Sequence, residues 1–199
     1  MDWIDDWMPT WQFAEVHHIE SHASPAALLD AAAAYDPGED PWIRGALALR
    51  ESPGRLAAAL GLSSAPAGRP RFGKSDFLPL GRLGDEALAY GLVGRFWEPG
   101  YGLVPQVDAD AFRAFNTSGT AKLLLAIEAR TDASAPRAST RTSTRVTSRV
   151  TTRVTTFSRL VCTDADTHLR VAAYWALIRP VSSLIRQRLL GQIKQLAES

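Results

Sequence analysis

Only one cysteine, Cys162, occurs in 199 residues. That excludes an intrachain disulfide and any metal centre built from several thiolates. No apolar run comes near the roughly 18 residues that a membrane-spanning helix needs. No serine stands in a G-x-S-x-G elbow, and no histidine is tied by spacing to Cys162, so nucleophilic catalysis leaves no signature. Positive charge is missing from residues 1–43, which hold nine acids and no Lys or Arg. Acids are missing in turn from residues 133–163, which carry six arginines. The formal net charge of +1 is the sum of these unlike parts. It excludes a uniformly basic nucleic-acid binder, and the two segments are expected to neutralise each other within the fold. The opening Met1-Asp2-Trp3-Ile4-Asp5-Asp6 is acidic where a secretory signal would be basic, so a cytoplasmic protein is expected.

What is present suits a globular domain. The chain is 46% hydrophobic and 22% charged, and its length can bury a core without covalent staples. Residues 11–21 alternate loosely and predict a first strand. Ser24 then supplies a cap and Pro25 a first helical residue for an alanine-rich helix through Ala34. A second helical stretch starts near Pro41 with Ile43, Leu47 and Leu49, and Ser52-Pro53 opens a third that stops at Gly61. Residues 63–73, rich in Pro, Gly and Ser, predict a loop.

The period then changes to that of strands. Residues 77–83 and 87–97 predict a hairpin turning at Gly84-Asp85. Residues 121–130 place Leu123, Leu125 and Ile127 on one face, with Lys122, Glu128 and Leu124 on the other. From Arg137 to Thr156 runs a tetrapeptide repeat, RAST-RTST-RVTS-RVTT-RVTT. Its length exceeds what one straight strand of a small domain can use, so a strand is predicted for residues 149–162, preceded by a hairpin extension or mobile loop over 132–148. A slip by one repeat unit leaves the pattern unchanged, so register is weakly specified there. The repeat has no aromatics for base stacking. Thr163 to Asp166 form a variant capping box. A long helix comes next, interrupted near Pro180 and re-capped by Ser182 or Ser183. Its apolar face is read as Leu184, Ile185, Leu189, Ile193 and Leu196, with Arg186, Arg188 and Lys194 largely opposite.

Several motifs carry less chemistry than their letters suggest. Residues 68–75, GRPRFGKS, match the phosphate-loop pattern. No strand precedes them, and Pro79 with Gly81 blocks a helix after Lys74, so no nucleotide is expected. His18, Glu20 and His22 share one strand face, the right chemistry for a metal. A solvated face explains them equally well, and neither a metal nor another cofactor is expected. His168 stands alone and predicts a surface position. Asp85-Glu86 reads as a turn, and Asp108 with Asp110 as the cap of a short helical turn. The better constellation is Arg95, Trp97, Glu128, Tyr174 and Arg179, at strand ends and on the last helix, where a cavity between helix and sheet would expose them. Leu125 and Trp175 complete the expected lining. The same residues also suit structural ion pairs and core aromatics.

Taken in order, these motifs resemble the START-like (SRPBCC) superfamily, most closely its uncharacterised bacterial members. The resemblance is carried by Gly91-Leu92-Val93-Gly94-Arg95-Phe96-Trp97, then Ala114-Phe115 with Gly119-Thr120-Ala121-Lys122. It continues through Cys162-Thr163-Asp164, Tyr174-Trp175, Ile178-Arg179-Pro180 and Leu184-Ile185-Arg186. It spans residues 13–197 and implies an α+β helix-grip fold. In that fold a curved antiparallel sheet wraps a long C-terminal helix, with two or three short helices after the first strand. A single domain over 1–199 is expected, residues 1–10 being an N-terminal extension. The resemblance implies a cavity for a small hydrophobic or aromatic-polyketide-like ligand, and transfers no catalytic residues. Two alternatives stay open: a cyclase- or hydrolase-like enzyme using Arg95, Glu128 or Tyr174 for proton handling, and a protein- or membrane-interaction module using the basic repeat and last helix. Similar sequences reach Cys162-Thr163-Asp164 through one or two Thr/Arg units, where this chain has five.

Overall fold

The structure, a computed structural model, describes residues 3–48, 73–98, 101–132 and 151–199. Five strands form one curved antiparallel sheet: β1 (Phe13–Ser21), β2 (Leu78–Leu83), β3 (Ala87–Gly94), β4 (Ala121–Asp132) and β5 (Thr151–Cys162). Their order is β1-β5-β4-β3-β2, so the first strand closes against the last and β4 lies in the middle. The helices are α1 (Trp3–Trp7), α2 (Pro25–Ala34), α3 (residues 41–48), α4 (Ala109–Ala114) and α5 (Ala165–Glu198). This is the α+β architecture that the sequence predicts, with α2 and α3 as the short helices after the first strand. The helix expected to stop at Gly61 and the part of the repeat before Thr151 lie outside the described residues.

The register of the repeat is fixed by the residues beyond its end. Thr151 to Thr156 open β5, where Val154 pairs with Ile19 and Ala129 and is fully buried. After them Phe157, Leu160 and Cys162 break the period, and a one-unit slip would misplace all three. Between β2 and β3 the turn runs through Gly84 at φ +46°, a left-handed conformation that favours glycine.

Helix α5 is fastened to the sheet at both ends. At the start, the Asp164 carboxylate accepts from the backbone N–H groups of Gly119 (2.6 Å) and Thr167 (2.8 Å) and from the Ser118 hydroxyl (2.9 Å). These bonds, led by that from Gly119, hold its carboxyl well below the usual carboxylate range. At the far end, Glu198 accepts from Ser21 Oγ (2.7 Å) and the His22 N–H (2.9 Å), and Lys194 Nζ donates to the Glu20 carbonyl. Between these anchors 34 residues rise about 50 Å along the concave face.

The other face of the sheet is covered too. Ile4, Trp7 and Met8 are buried there with Leu80, Ala89, Val93, Phe112 and Leu124. Three side chains of the N-terminal segment, Ile4, Trp7 and Met8, thus belong to this layer. Asp5 meets Arg159 of β5 at 2.6 Å, one contact between the acidic start and the arginine-rich segment. Other acids of the first quarter find arginines elsewhere: Glu15 faces Arg186, Asp30 faces Arg82 and Asp40 faces Arg188.

Four details of the last helix and its neighbours correct the sequence reading. The N-cap is Asp164, whose side chain bonds Thr167, and not Thr163, whose hydroxyl donates to the Thr120 carbonyl. The helix passes Pro180 without interruption. Pro180 and Ala176 are both exposed, so the carbonyl that loses its helical donor is open to water. Leu184 and Leu196 are about half exposed, and Leu190 takes the buried place beside Ile193. Burying those two side chains contributes about 1.5–3 kcal/mol each, gross. His168 is half-buried and stacks on Phe13, ring centroids 5.2 Å apart.

Candidate functional site

Sheet curvature leaves a cavity of about 240 Å³ between the concave face and α5. Its floor is Tyr90 and Leu92 of β3, Leu123, Leu125 and Ile127 of β4, and Thr156 and Leu160 of β5. Its roof is a single stripe of α5, running from Tyr174 and Trp175 through Ile178, Ser182, Ile185 and Arg186 to Leu189. Those steps of three and four residues keep one helical face inward. Phe77, Phe96, Ile43 and Leu47 close the sides. Apart from a few hydroxyls, one lysine and one arginine, the wall is hydrocarbon and aromatic ring.

The rim is held by one buried carboxylate. Asp40 accepts from Arg188 Nε (2.9 Å), Tyr35 Oη (3.2 Å) and the backbone N–H groups of Trp42 and Ile43. It thereby joins the start of α3, the end of α2 and the middle of α5. Burial alone would raise its carboxyl, but the bonds from Arg188, Ile43 and Trp42 outweigh that and hold it below its ordinary value. Burial, reinforced by Asp40, pushes the Tyr35 phenol up to about 12. Lys74 stands in a single 3-10 turn, Lys74–Asp76, and donates to the carbonyls of Ala33 and Tyr35 at the end of α2. A lysine that resembles a phosphate-loop residue in sequence thus closes a helix C-terminus.

The polar wall comes from a residue that sequence reasoning assigned to the wrong face. Arg186 lies on the inward stripe of α5, four residues after Ser182, and its side chain is 12% exposed. Across from it on β1, Glu15 Oε2 stands 3.8 Å from Arg186 Nε, and His17 Nε2 lies 3.1 Å from Glu15 Oε1. Among the described residues, Glu15 Oε2, His17 Nε2 and Arg186 Nε are buried without a hydrogen-bond partner. Burial, partly offset by Glu15, lowers the guanidinium to about 10, so it remains a cation at neutral pH. Spacing could have found Arg186, because it continues the Tyr174–Ile178–Ser182 series. Nothing in the sequence alone pairs it with Glu15, 171 positions away.

Of the residues expected to line a site, Leu125, Tyr174 and Trp175 reach the cavity. Arg95, Trp97, Glu128 and Arg179 are not in its wall. Arg95 is half exposed and faces Glu98 at 3.4 Å, while Glu128 faces Arg130 at 3.3 Å. Trp97 is partly buried against the core cluster that contains Phe96 and Val171, and Arg179 is exposed. Burial, with Asp164 nearby, pushes the Cys162 thiol up to about 11, which suits an inert core residue. His18, Glu20 and His22 are all exposed, and among the described residues no group of three His, Cys, Asp or Glu side chains is placed to hold a metal. Nor is any described helix long and apolar enough to cross a membrane. Compared with protein-family models, with curated proteins and with solved structures, the chain gives no match.

Proposed function

We propose that this chain is a START-like (SRPBCC) protein that binds a small hydrophobic molecule, without transforming it, in the cavity between sheet and last helix. The observation that carries the reading is the composition of that cavity: aromatic and aliphatic side chains from three strands and α5 line about 240 Å³. Apolar concavities with few polar groups are the usual form of small-molecule sites. The element order, the pairing of β1 with β5 and the grip on α5 support the superfamily reading. The setting is cytoplasmic: a single cysteine, held as a buried thiol, fits a compartment that does not rely on disulfides.

Native mass spectrometry of the full chain, purified from several expression hosts, tests this directly. The expected result is a reproducible co-purifying mass that disappears in Leu125→Trp, where an indole fills the cavity while the melting temperature stays within a few degrees. Bare protein from every host, together with no uptake of apolar probes, overturns it.

A second reading has one observation behind it. Glu15, His17 and Arg186 converge beside the cavity, the kind of cluster that proton-transfer chemistry uses. Only Arg186 of the three lines the cavity, and Arg95 and Glu128 do not. The enzyme reading is favoured over the binder if the co-purifying molecule changes mass on incubation with wild type but not with Arg186→Met.

A further inference from the structure

The buried guanidinium narrows the class of ligand. Resting on the binding reading above, we infer that the cavity selects a flat, two-ring-sized apolar molecule carrying one neutral acceptor oxygen, such as a carbonyl, directed at Arg186. Size comes first. A cavity of about 150 Å³ takes benzene, so about 240 Å³ takes roughly ten non-hydrogen atoms. Shape comes from the walls, where Phe77, Tyr90, Phe96, Tyr174 and Trp175 present rings from both layers.

The polar group emerges from counting donors and charges. A guanidinium has donors only, so its partner must bring an acceptor. Glu15 balances the charge of Arg186 but, at 3.8 Å, makes no hydrogen bond to Nε. The protein has therefore supplied the counter-charge without a hydrogen bond to Nε. The Glu15–Arg186 pair sums to zero. A neutral acceptor leaves that sum unchanged. A carboxylate would bring a second negative charge into a buried site whose cation is already matched, and uncompensated buried charge is strongly unfavourable. The ligand oxygen is thus an acceptor without formal charge.

Equilibrium dialysis of the full chain with three probes of similar size tests this: naphthalene, which has no acceptor, coumarin, which has a neutral carbonyl, and trans-cinnamate, which has an anionic carboxylate. Wild type is expected to bind coumarin about tenfold or more tightly than either of the others, the scale of one hydrogen bond to a charged donor. In the double variant Glu15→Gln/Arg186→Met, which removes both charges together, naphthalene binding is expected to stay within about twofold and the coumarin preference to vanish. Equal binding of coumarin and naphthalene by wild type overturns the inference, as does a preference that survives in the double variant. Tightest binding of trans-cinnamate overturns the neutral class. If none of the three binds, the two-ring ligand class is overturned, while the binding reading is decided separately by whether native mass spectrometry finds a co-purifying mass.

Discussion

Arg186 of α5 and Glu15 of β1 meet across the sheet–helix interface, Nε to Oε2 at 3.8 Å, with both side chains largely buried. Removing one partner leaves the other as an uncompensated buried charge, whereas removing both does not. Arg186→Met is therefore expected to destabilise the fold by about 3–5 kcal/mol. Glu15→Gln/Arg186→Met should recover most of that loss. Urea unfolding of the three proteins checks it, and equal stability of single and double variants contradicts the prediction.

Asp40 makes stability depend on acid. Its folded carboxyl is held below the ordinary value. Its contribution is thus fully present above the unfolded carboxylate pKa of about 3.9 and is lost as pH falls below that toward the folded value. Asp40→Asn should lower stability by about 1–3 kcal/mol at neutral pH, through lost bonds to Arg188, Trp42 and Ile43. The variant should also show a shallower fall in melting temperature between pH 5 and about pH 2. Some slope should remain, because Asp164 and Glu198 are also held low. Calorimetry across that range decides it; an unchanged slope would remove Asp40 from the account.

Gly91 fixes how closely the second face packs. A Cβ built there would lie 2.7 Å from Cδ2 and 2.8 Å from Cε2 of Phe112, which is fully buried. A packed aromatic ring has nowhere to retreat, so Gly91→Ala is expected to cost about 1–3 kcal/mol. Gly45, where an added Cβ meets nothing within 4 Å, is the control. Gly45→Ala, inside α3, should be neutral or stabilising by up to about 1 kcal/mol. Thermal melts that rank the two the other way would refute this.

The link between β4 and β5 joins strand ends that are already paired, Asp132 opposite Thr151. Eighteen residues connect them, many more than a hairpin needs. Deleting residues 137–148 removes three repeat units and leaves six residues to make the turn. By loop-closure entropy the change should be stabilising by about 1 kcal/mol or close to neutral. A drop in melting temperature of ten degrees or more would mean that those units support the sheet.

Periodicity made the strands, the early helices and the long last helix legible, because a buried face imposes its spacing on the residues that fill it. Ser24-Pro25 and Asp108 likewise announced their helices through capping chemistry that acts within three residues. The site was legible only in part. Leu125, Tyr174 and Trp175 could be found because they lie on the apolar faces of β4 and α5. Arg186 was assigned to the solvent face by its charge, although its spacing placed it inward. Glu15 gave no such signal, since an acid on an alternating strand looks the same whether it meets water or an arginine from the far end of the chain. Pro180 misled for a related reason: local rules count the lost hydrogen bond but not the tertiary contacts that carry a helix across it.

With α1 and α4 on one side and α5 on the other, β4 has no face left for solvent along most of its length. Leu123, Leu125 and Ile127 look into the cavity, while Leu124 and the aliphatic stem of Lys122 belong to the opposite layer. Odd and even positions of one strand are thus subject to separate demands, the shape of the cavity on one side and structural integrity on the other, with Ala126 bordering both. Evolution or a designer can therefore reshape the cavity by rewriting alternate letters of twelve residues, leaving the second layer largely as it stands.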